Sequence, residues 1–318
     1  MEKEQESFSC YVIGNESLTI HCASILLEKK HHVLGIISSS TQIKEWCQEH
    51  HIKFMSNINE LDTPCDYLFS IVNEIILPES VLHMPKRYAI NYHNSPLPKY
   101  AGLYATSWAI LNHETEHAIS WHIIEQEIDA GDLVKQCFFP IEAHDTALSL
   151  NLKCYETASS SFRVLIDELA SKTEHRMRQD LARRSYYGLK NKPKHLGFIS
   201  WQSTSEELDY LCRARSFGAY RNELATPKLI INDRLYLITA HRKLQVTSKG
   251  APGTIIHLSK NEVQITTRTT DIALIEVMDS EKTSFDMEHW STLCSLSVGQ
   301  VLNDPVKFLH NHNFPSLR

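Results

Sequence analysis

Apolar and polar positions follow two different rhythms along the first half of the chain. Short apolar runs, typical of buried strands, alternate with longer segments in which apolar residues recur every three or four positions, as on one face of a helix. The predicted strands are FSCYVIG, VLGIISS, YLFSIV and YAINYHN, and the predicted helices include SLTIHCASILLEKK, STQIKEWCQEHH, LYATSWAILN and DTALSLNLKCYETASSSFRVLIDELAS. Strand and helix in alternation predict a mostly parallel α/β sheet with flanking helices.

The pattern changes in the second half of the chain. Apolar runs vanish in the basic stretch 172–195, and a helix, TSEELDYLCRARSF, then precedes the short strand-like runs KLIINDRLYLITA, GTIIHLS, EVQITTR and IALIEVM. Short strands divided by turn residues are typical of a small all-β domain. We therefore predict a catalytic domain over 1–188, a linker over 189–204 and a β-rich C-terminal domain over 205–318.

Composition limits the class of protein. A length of 318 residues fits two domains, and no apolar run reaches the roughly 18 residues that a membrane span needs. The acidic start MEKEQESFSC lacks the features of a secretory signal, so we expect a cytoplasmic protein without membrane contact. The eight cysteines are scattered without a C-x-x-C pair, which predicts reduced thiols and no metal site.

The turn after the first strand argues against a dinucleotide-dependent oxidoreductase. This turn, GNESLT, has a single glycine and therefore no G-x-G-x-x-G to cradle a pyrophosphate. The candidate chemistry must come from elsewhere in the sheet.

Polar side chains alternate at the end of the fourth of these strands, in the stretch NYHNSPLPKYAG. Asn91, His93 and Ser95 occupy alternate positions, and prolines then end the strand. Ligands of open α/β sheets bind beyond the carboxyl ends of the strands, so this cluster is a candidate site. Asp129, in EIDAGDL, lies 129 − 93 = 36 residues further, enough for a helix and a strand to bring it back beside His93.

The residue types predict acyl transfer to an amine. Asn91 would stabilise the charge that develops on an attacked carbonyl oxygen, and Asp129 would orient His93. His93 either takes the proton of the amine or stays protonated and stabilises the intermediate. Ser95 has no G-x-S-x-G elbow around it, which disfavours covalent catalysis. His122, on the returning strand, either faces the same pocket or is an ordinary strand histidine.

NYHNSPLPKYAG together with IDAGD resembles the signature of the formyltransferases that use 10-formyltetrahydrofolate. This resemblance implies a two-domain plan like that of methionyl-tRNA formyltransferase, with a Rossmann-like sheet followed by an OB-like β-barrel. It also implies that Asn91, His93 and Asp129 are the catalytic residues. The residues implied or expected to contact the folate are Ser70, Asn73, Ile75, Leu77, Ser95 and His122.

The acceptor amine is predicted by finer resemblance and by charge. HNSPLPKYAGLYATSWAILN is most similar to the formylation domains of nonribosomal peptide synthetases, whose acceptor is an aminoacyl group on a carrier protein's phosphopantetheine. Sugar-nucleotide N-formyltransferases are the first alternative, and methionyl-tRNA formyltransferase is the second. From 205 to 318 the chain has 13 Lys+Arg and 13 Asp+Glu, a balance that disfavours a tRNA or another nucleic acid, because phosphate contacts need basic surface. A non-catalytic folate-binding docking module is the remaining alternative.

Overall fold

The structure, a computed structural model, describes residues 6–217, 224 and 226–306. Contacts divide the chain into two compact units. The first comprises Met1–Ala105, Thr115–Ile141 and Leu150–Gly188, and the second comprises Thr106–Glu114, Glu142–Ser149 and Leu189–Arg318. None of the helices in the described ranges is long and apolar enough to cross a membrane.

The first unit is built on a seven-stranded sheet among the described residues, in the order β3-β2-β1-β4-β5-β7-β8. The strands β1 to β5 run parallel, and β7 and β8 are antiparallel additions at one edge. The strands of this unit are β1 (Ser9–Ile13), β2 (His32–Ile37), β3 (Phe54–Met55), β4 (Cys65–Ser70), β5 (Pro85–His93), β6 (Ala101–Gly102), β7 (Glu116–Ile123), β8 (Leu133–Pro140) and β9 (Tyr186–Tyr187). The short strands β6 and β9 pair separately with each other.

Helices flank the sheet, as the periodicity predicted. The helices of the two units together are α1 (Ser17–Glu28), α2 (Thr41–Glu49), α3 (Glu79–Leu82), α4 (Ala105–Leu111), α5 (Ala147–Ser171), α6 (Ser205–Arg215) and α7 (Met287–Leu293). Two N-termini have the side chains that favour a helix start: Ser40 caps α2, and Thr204 with Glu207 forms a capping box on α6. The two-residue strands and α7 were not predicted, because such short segments show no periodicity.

The direction of the site residues follows from packing on β5. Ile90 and Tyr92 are buried in a core that also contains apolar residues of α1 and α5. Side chains alternate along a strand, so Asn91 and His93 point to the opposite face. Ala89 shares that face and packs in a smaller core around α3. The apolar positions of the strand therefore decide where its polar positions point.

The second unit contains a six-stranded antiparallel sheet, with β10-β11-β14-β13-β12 in order and β15 paired to β14 in the described part of the chain. Its strands are β10 (Lys228–Ile231), β11 (Arg234–Lys243), β12 (Ile255–Leu258), β13 (Val263–Ile265), β14 (Ile272–Asp279) and β15 (Ser284–Phe285). The sheet curves as a half-barrel around its own core. Ile199 and Trp201, from the stretch predicted as linker, are buried in that core. The predicted fold class, a Rossmann-like sheet with a small C-terminal β domain, is confirmed.

Candidate functional site

The strand register brings three polar side chains into one row. Ser70 at the end of β4 lies opposite Asn91 on β5, and Asn91 lies opposite His122 on β7. Residues that face each other in register project on the same side of a sheet. The row therefore crosses three neighbouring strands at the carboxyl ends of β4 and β5.

Hydrogen bonds hold the amide of Asn91 in one orientation. The Ser70 hydroxyl donates to Asn91 Oδ1 at 2.8 Å, and Asn91 Nδ2 lies 3.2 Å from His122 Nε2. His122 Nδ1 lies 2.9 Å from the carbonyl oxygen of Ile123, which only accepts, so Nδ1 carries hydrogen and Nε2 of the neutral ring accepts from Asn91. One N–H of the amide is thereby used, and the other can donate to a ligand.

His93 is held in a single tautomer. Its ring is 8% exposed, and Nε2 donates to the carbonyl oxygen of Tyr100 at 2.9 Å. Nδ1 faces Asp129 Oδ2 at 3.8 Å, a distance beyond a hydrogen bond. The neutral ring therefore keeps the Nδ1 lone pair available to take a proton beside a carboxylate.

Asp129 lies in the loop between β7 and β8, with a left-handed backbone at φ +56°. Its Oδ2 accepts from the backbone N–H of Gly102 at 2.8 Å, and its Oδ1 lies 3.4 Å from His122 Nε2. Burial alone would raise the pKa of this carboxyl. At the low pH where this carboxyl titrates, the charge of protonated His93, the contact with protonated His122 and the Gly102 N–H outweigh burial and hold the pKa of Asp129 well below its usual range, so Asp129 is ionised at neutral pH.

The loop after β4 is shaped by Asn73. Its Nδ2 donates to the carbonyl oxygen of Ile75 at 2.8 Å, and the Ile75 N–H donates back to Asn73 Oδ1 at 3.0 Å. Val72 has φ +51°, a strained value for a β-branched residue that is characteristic of functional loops. Ile75 and Ile76 are 57% and 78% exposed. Exposed apolar side chains beside Ser70 and Asn73 fit an aromatic ring with polar edges, such as a pterin.

Two of the expected folate contacts are engaged elsewhere. Leu77 is 8% exposed and packs in the smaller core on the α3 side of the sheet. The Ser95 hydroxyl donates to the carbonyl oxygen of Lys99 at 2.8 Å, inside the turn that follows β5. Folate contact by these residues stays a prediction. His122 is 2% exposed and contacts Asn91 and Asp129 directly, so the structure places it beside two of the residues predicted to be catalytic.

Sequence reasoning missed residues that shape the site from behind. A Cβ on Gly14, just after β1, would lie 2.0 Å from the carbonyl oxygen of Ile71, and one on Gly131 would lie 2.0 Å from that of Ile123. Their positions after a strand and in the DAGD turn were available as signals. Gln179, whose side chain reaches the loop of Asp129, gave no local signal at all. Within the described residues there is no cluster of three or more metal-ligating side chains.

Comparison with known proteins identifies the family of the chain. The chain matches the family model of the formyl transferases over residues 65–165 and that of the formyl transferase C-terminal domain over residues 192–293. It is 24% identical over 283 residues to a methionyl-tRNA formyltransferase of Legionella pneumophila, covering 82% of this chain and 87% of the relative. The corresponding enzyme of Clostridioides difficile is 23% identical over 313 residues, covering 91% and 98%.

Solved structures show the same fold. A sugar 3N-formyltransferase, WlaRD, described with dTDP and 5-N-formyl-tetrahydrofolate, has a TM-score of 0.67 at 20% identity and covers 86% of this chain and 98% of its own. An N-formyltransferase from Helicobacter canadensis, with folinic acid and dTDP-3-aminofucose, has a TM-score of 0.68 at 20% identity, covering 84% and 98%. HypX from Aquifex aeolicus, with tetrahydrofolic acid, has a TM-score of 0.65 at 14% identity, covering 92% and 48%.

These matches confirm the predicted enzyme class and, at the level of the family, the predicted 10-formyltetrahydrofolate donor. Both halves of the chain match their own family model, in the predicted order. The chain therefore belongs to the two-domain formyltransferase family.

Proposed function

We propose that the protein transfers the formyl group of 10-formyltetrahydrofolate to the amine of an apolar aminoacyl group carried on the phosphopantetheine of a carrier protein. The observation that carries the chemistry is the convergence of Asn91, His93 and Asp129 at one end of the sheet. The observation that favours this acceptor is a set of exposed apolar side chains beside Asp129.

Each catalytic residue has one role in this reaction. The free N–H of Asn91 donates to the formyl oxygen as it becomes negative on attack by the amine. His93 Nδ1 takes the proton that the amine nitrogen loses as its bond to the formyl carbon forms. Asp129 stabilises the resulting imidazolium. The bond from the formyl carbon to N10 then breaks, N10 gains a proton, and the products are tetrahydrofolate and the N-formyl aminoacyl group.

The fixed tautomer of His93 favours its action as a base. Tyr100 already accepts the Nε2 hydrogen, so the ring presents a lone pair at Nδ1 without any rearrangement. Ser70 and His122 similarly hold the Asn91 amide before the substrate arrives. Groups held in this way do not reorganise during the reaction, which is the basis of electrostatic catalysis.

We define the apolar rim as three exposed side chains next to the loop between β7 and β8 that carries Asp129. Leu103, Ile128 and Tyr186 are 42%, 42% and 46% exposed. Two hydrogen bonds join the segments that carry them: the Gly102 N–H donates to the Asp129 carboxylate, and the Leu103 N–H donates to the carbonyl oxygen of Tyr187 at 2.7 Å. An exposed apolar surface at the site suits an apolar aminoacyl side chain better than a polyhydroxylated sugar.

A methionyl group would also suit the apolar rim, so charge must separate the two aminoacyl acceptors. The span 205–318 has 13 basic and 13 acidic residues, whereas a tRNA is bound mainly through its phosphates. A carrier-bound aminoacyl group makes no such demand. The sugar nucleotide is the second candidate, because sugar N-formyltransferases have TM-scores of 0.67 and 0.68 to this chain.

The test is a comparison of acceptors. Tetrahydrofolate release from 10-formyltetrahydrofolate is followed with leucyl-carrier protein, dTDP-3-aminofucose, methionyl-tRNA or water alone, and the formylated product is identified by mass. We expect the leucyl-carrier protein to give the highest kcat/KM and His93→Ala to reduce it about a hundredfold or more. Turnover with the sugar nucleotide or methionyl-tRNA instead would replace the acceptor, and no turnover with any of them would indicate a binding module.

A rim variant tests the acceptor side of the site separately. Ile128→Ser should raise the KM for leucyl-carrier protein about tenfold and leave the KM for the folate unchanged, since burying a large aliphatic side chain contributes about 1.5–3 kcal/mol. Val298→Ser, in the second unit at 62% exposed, is the matched control and should change neither constant. An unchanged acceptor KM in Ile128→Ser would contradict contact with the rim.

A further inference from the structure

The segment after α5 is hydrogen-bonded to the loop that carries Asp129. Met177 and Leu133 exchange two backbone hydrogen bonds of 2.8 Å, which join this segment to the start of β8. Further along, Arg184 Nη2 donates to the carbonyl oxygen of Ile128 at 2.7 Å and Nη1 pairs with Glu127 at 3.0 Å. Residues 127–133 are therefore bound at both ends by residues 177–184, although about fifty residues of sequence separate the two segments.

Gln179 lies at the centre of this contact. Its side chain is buried, at 6% exposed, and its Nε2 donates to two carbonyl oxygens of the loop, that of Asp129 at 2.9 Å and that of Gly131 at 2.6 Å. A primary amide has two N–H groups on one nitrogen and can satisfy both carbonyls at once. Neither an apolar side chain nor a carboxylate of the same size can do so.

The bonds to Gln179 coincide with backbone strain at Asp129. This residue has φ +56°, a left-handed conformation that costs free energy outside glycine and persists only where its surroundings determine it. The same conformation directs the carboxylate toward the Gly102 N–H and toward His93. Gln179 thus bonds the backbone of the one loop residue whose side-chain direction the proposed chemistry needs.

We propose that Gln179 is a positioning residue for formyl transfer: its amide holds the left-handed turn at Asp129 and so aims the carboxylate at His93. Gln179 itself does not touch the reacting atoms. This proposal rests on the proposed catalytic role of Asp129.

Gln179→Leu should lower kcat about thirtyfold, since displacements of about 1 Å in a catalytic group cost up to about a hundredfold. The KM for 10-formyltetrahydrofolate should stay within twofold, because the loop proposed to contact the folate follows β4 and not the strands that flank Asp129. Gln179→Glu adds a readout, the pH dependence of kcat, that a purely structural role would not give. The ionised carboxylate of this variant donates no hydrogen bond and repels both carbonyls, whereas the protonated acid restores one donor. The loss of kcat relative to wild type should therefore shrink as the pH falls from 8 to 6. A deficit that is constant with pH would contradict the proposal.

A double-mutant cycle separates positioning from general destabilisation. Rates are compared at saturating folate and leucyl-carrier protein, or whichever tested acceptor wild type turns over fastest. If Gln179 acts through Asp129, adding Gln179→Leu to Asp129→Asn should lower kcat less than threefold further. Gln136→Leu is the matched control, because Gln136 also donates two side-chain hydrogen bonds, to Leu97 and Ser120, yet does not bond this loop. The reduction in kcat caused by Gln136→Leu should multiply with the reduction caused by Asp129→Asn.

The outcomes distinguish the two levels of proposal. Full multiplication of the Gln179→Leu and Asp129→Asn losses, or a Gln179→Leu enzyme as active as wild type, overturns the positioning role alone. An Asp129→Asn enzyme as active as wild type overturns the proposed function itself. If Gln179→Leu does not fold, the pH dependence of kcat in Gln179→Glu decides, because the same preparation is compared with itself at low pH.

Discussion

Replacing Asp129 by Asn removes the charge that the structure places beside His93, the proposed catalytic base, and changes little else. The amide has the same shape as the carboxylate and can still accept from the Gly102 N–H, which lies 2.8 Å from Oδ2. The lowered pKa of Asp129 means that wild type carries this charge throughout the neutral range. The substitution therefore isolates the electrostatic part of the residue's role.

The geometry sets the magnitude. The distance from His93 Nδ1 to Asp129 Oδ2 is 3.8 Å, and at an effective dielectric constant of about 20 two unit charges at that distance attract by about 4 kcal/mol. Losing all of that stabilisation of the imidazolium would slow the reaction about a thousandfold. An Asn dipole recovers part of it, so we expect kcat to fall about a hundredfold to a thousandfold.

The fixed tautomer of His93 sets an upper limit on the loss of kcat. In the Ser-His-Asp proteases the same substitution costs about 10⁴ because the histidine adopts the wrong tautomer. Here the carbonyl oxygen of Tyr100 holds the Nε2 hydrogen of His93, and Asp129 is not needed for that purpose. The expected loss is correspondingly smaller than in the proteases.

The assay is kcat for tetrahydrofolate release with leucyl-carrier protein, with the KM for 10-formyltetrahydrofolate as a second readout. Asp132→Asn is the control, because Asp132 lies three residues away and its carboxylate pairs with Arg176 at 2.7 Å. The control should keep kcat within twofold. An Asp129→Asn kcat within threefold of wild type would refute the electrostatic reasoning, and a folded variant whose kcat falls about 10⁴-fold or more would show that Asp129 also sets the tautomer.

Two further predictions concern the proposed oxyanion donor and a partly buried ion pair in the second unit. Asn91→Ala should lower kcat about a hundredfold or more and leave folate affinity nearly intact, measured by steady-state kinetics and tetrahydrofolate titration; unchanged turnover would contradict the donor role. Burial alone would lower the pKa of His241, but its 2.9 Å hydrogen bond to Asp209 and its contact with Cys212 raise it to about 10. Because the folded pKa exceeds the unfolded one of about 6.5, this histidine stabilises the fold fully below pH 6.5 and loses that effect as the pH rises toward 10. His241→Gln should therefore lower the free energy of unfolding by at most roughly 4 kcal/mol at pH 6. Denaturant unfolding should show a smaller difference in the free energy of unfolding between the variant and wild type at pH 10 than at pH 6. Equal differences at the two pH values would contradict this linkage.

Local pattern in the sequence determined much of this protein. The alternation of apolar runs and helical periods was enough for the parallel sheet, because burial on both faces leaves a mark within each segment. Asn91, His93 and Asp129 were recognisable because each lies at a strand end or glycine turn, and such positions are visible without any partner. The charge balance of 205–318 is likewise a property of composition.

Tertiary structure alone decided how these residues meet. The row of Ser70, Asn91 and His122 depends on the register of three strands, which non-local packing sets. The same packing buried the side chain of Leu77, whose folate contact stays a prediction. Gln179 lies about fifty residues from the loop that it holds. Periodicity reports which face of its own segment a residue occupies, whereas its partner across the fold is determined only when the segments pack.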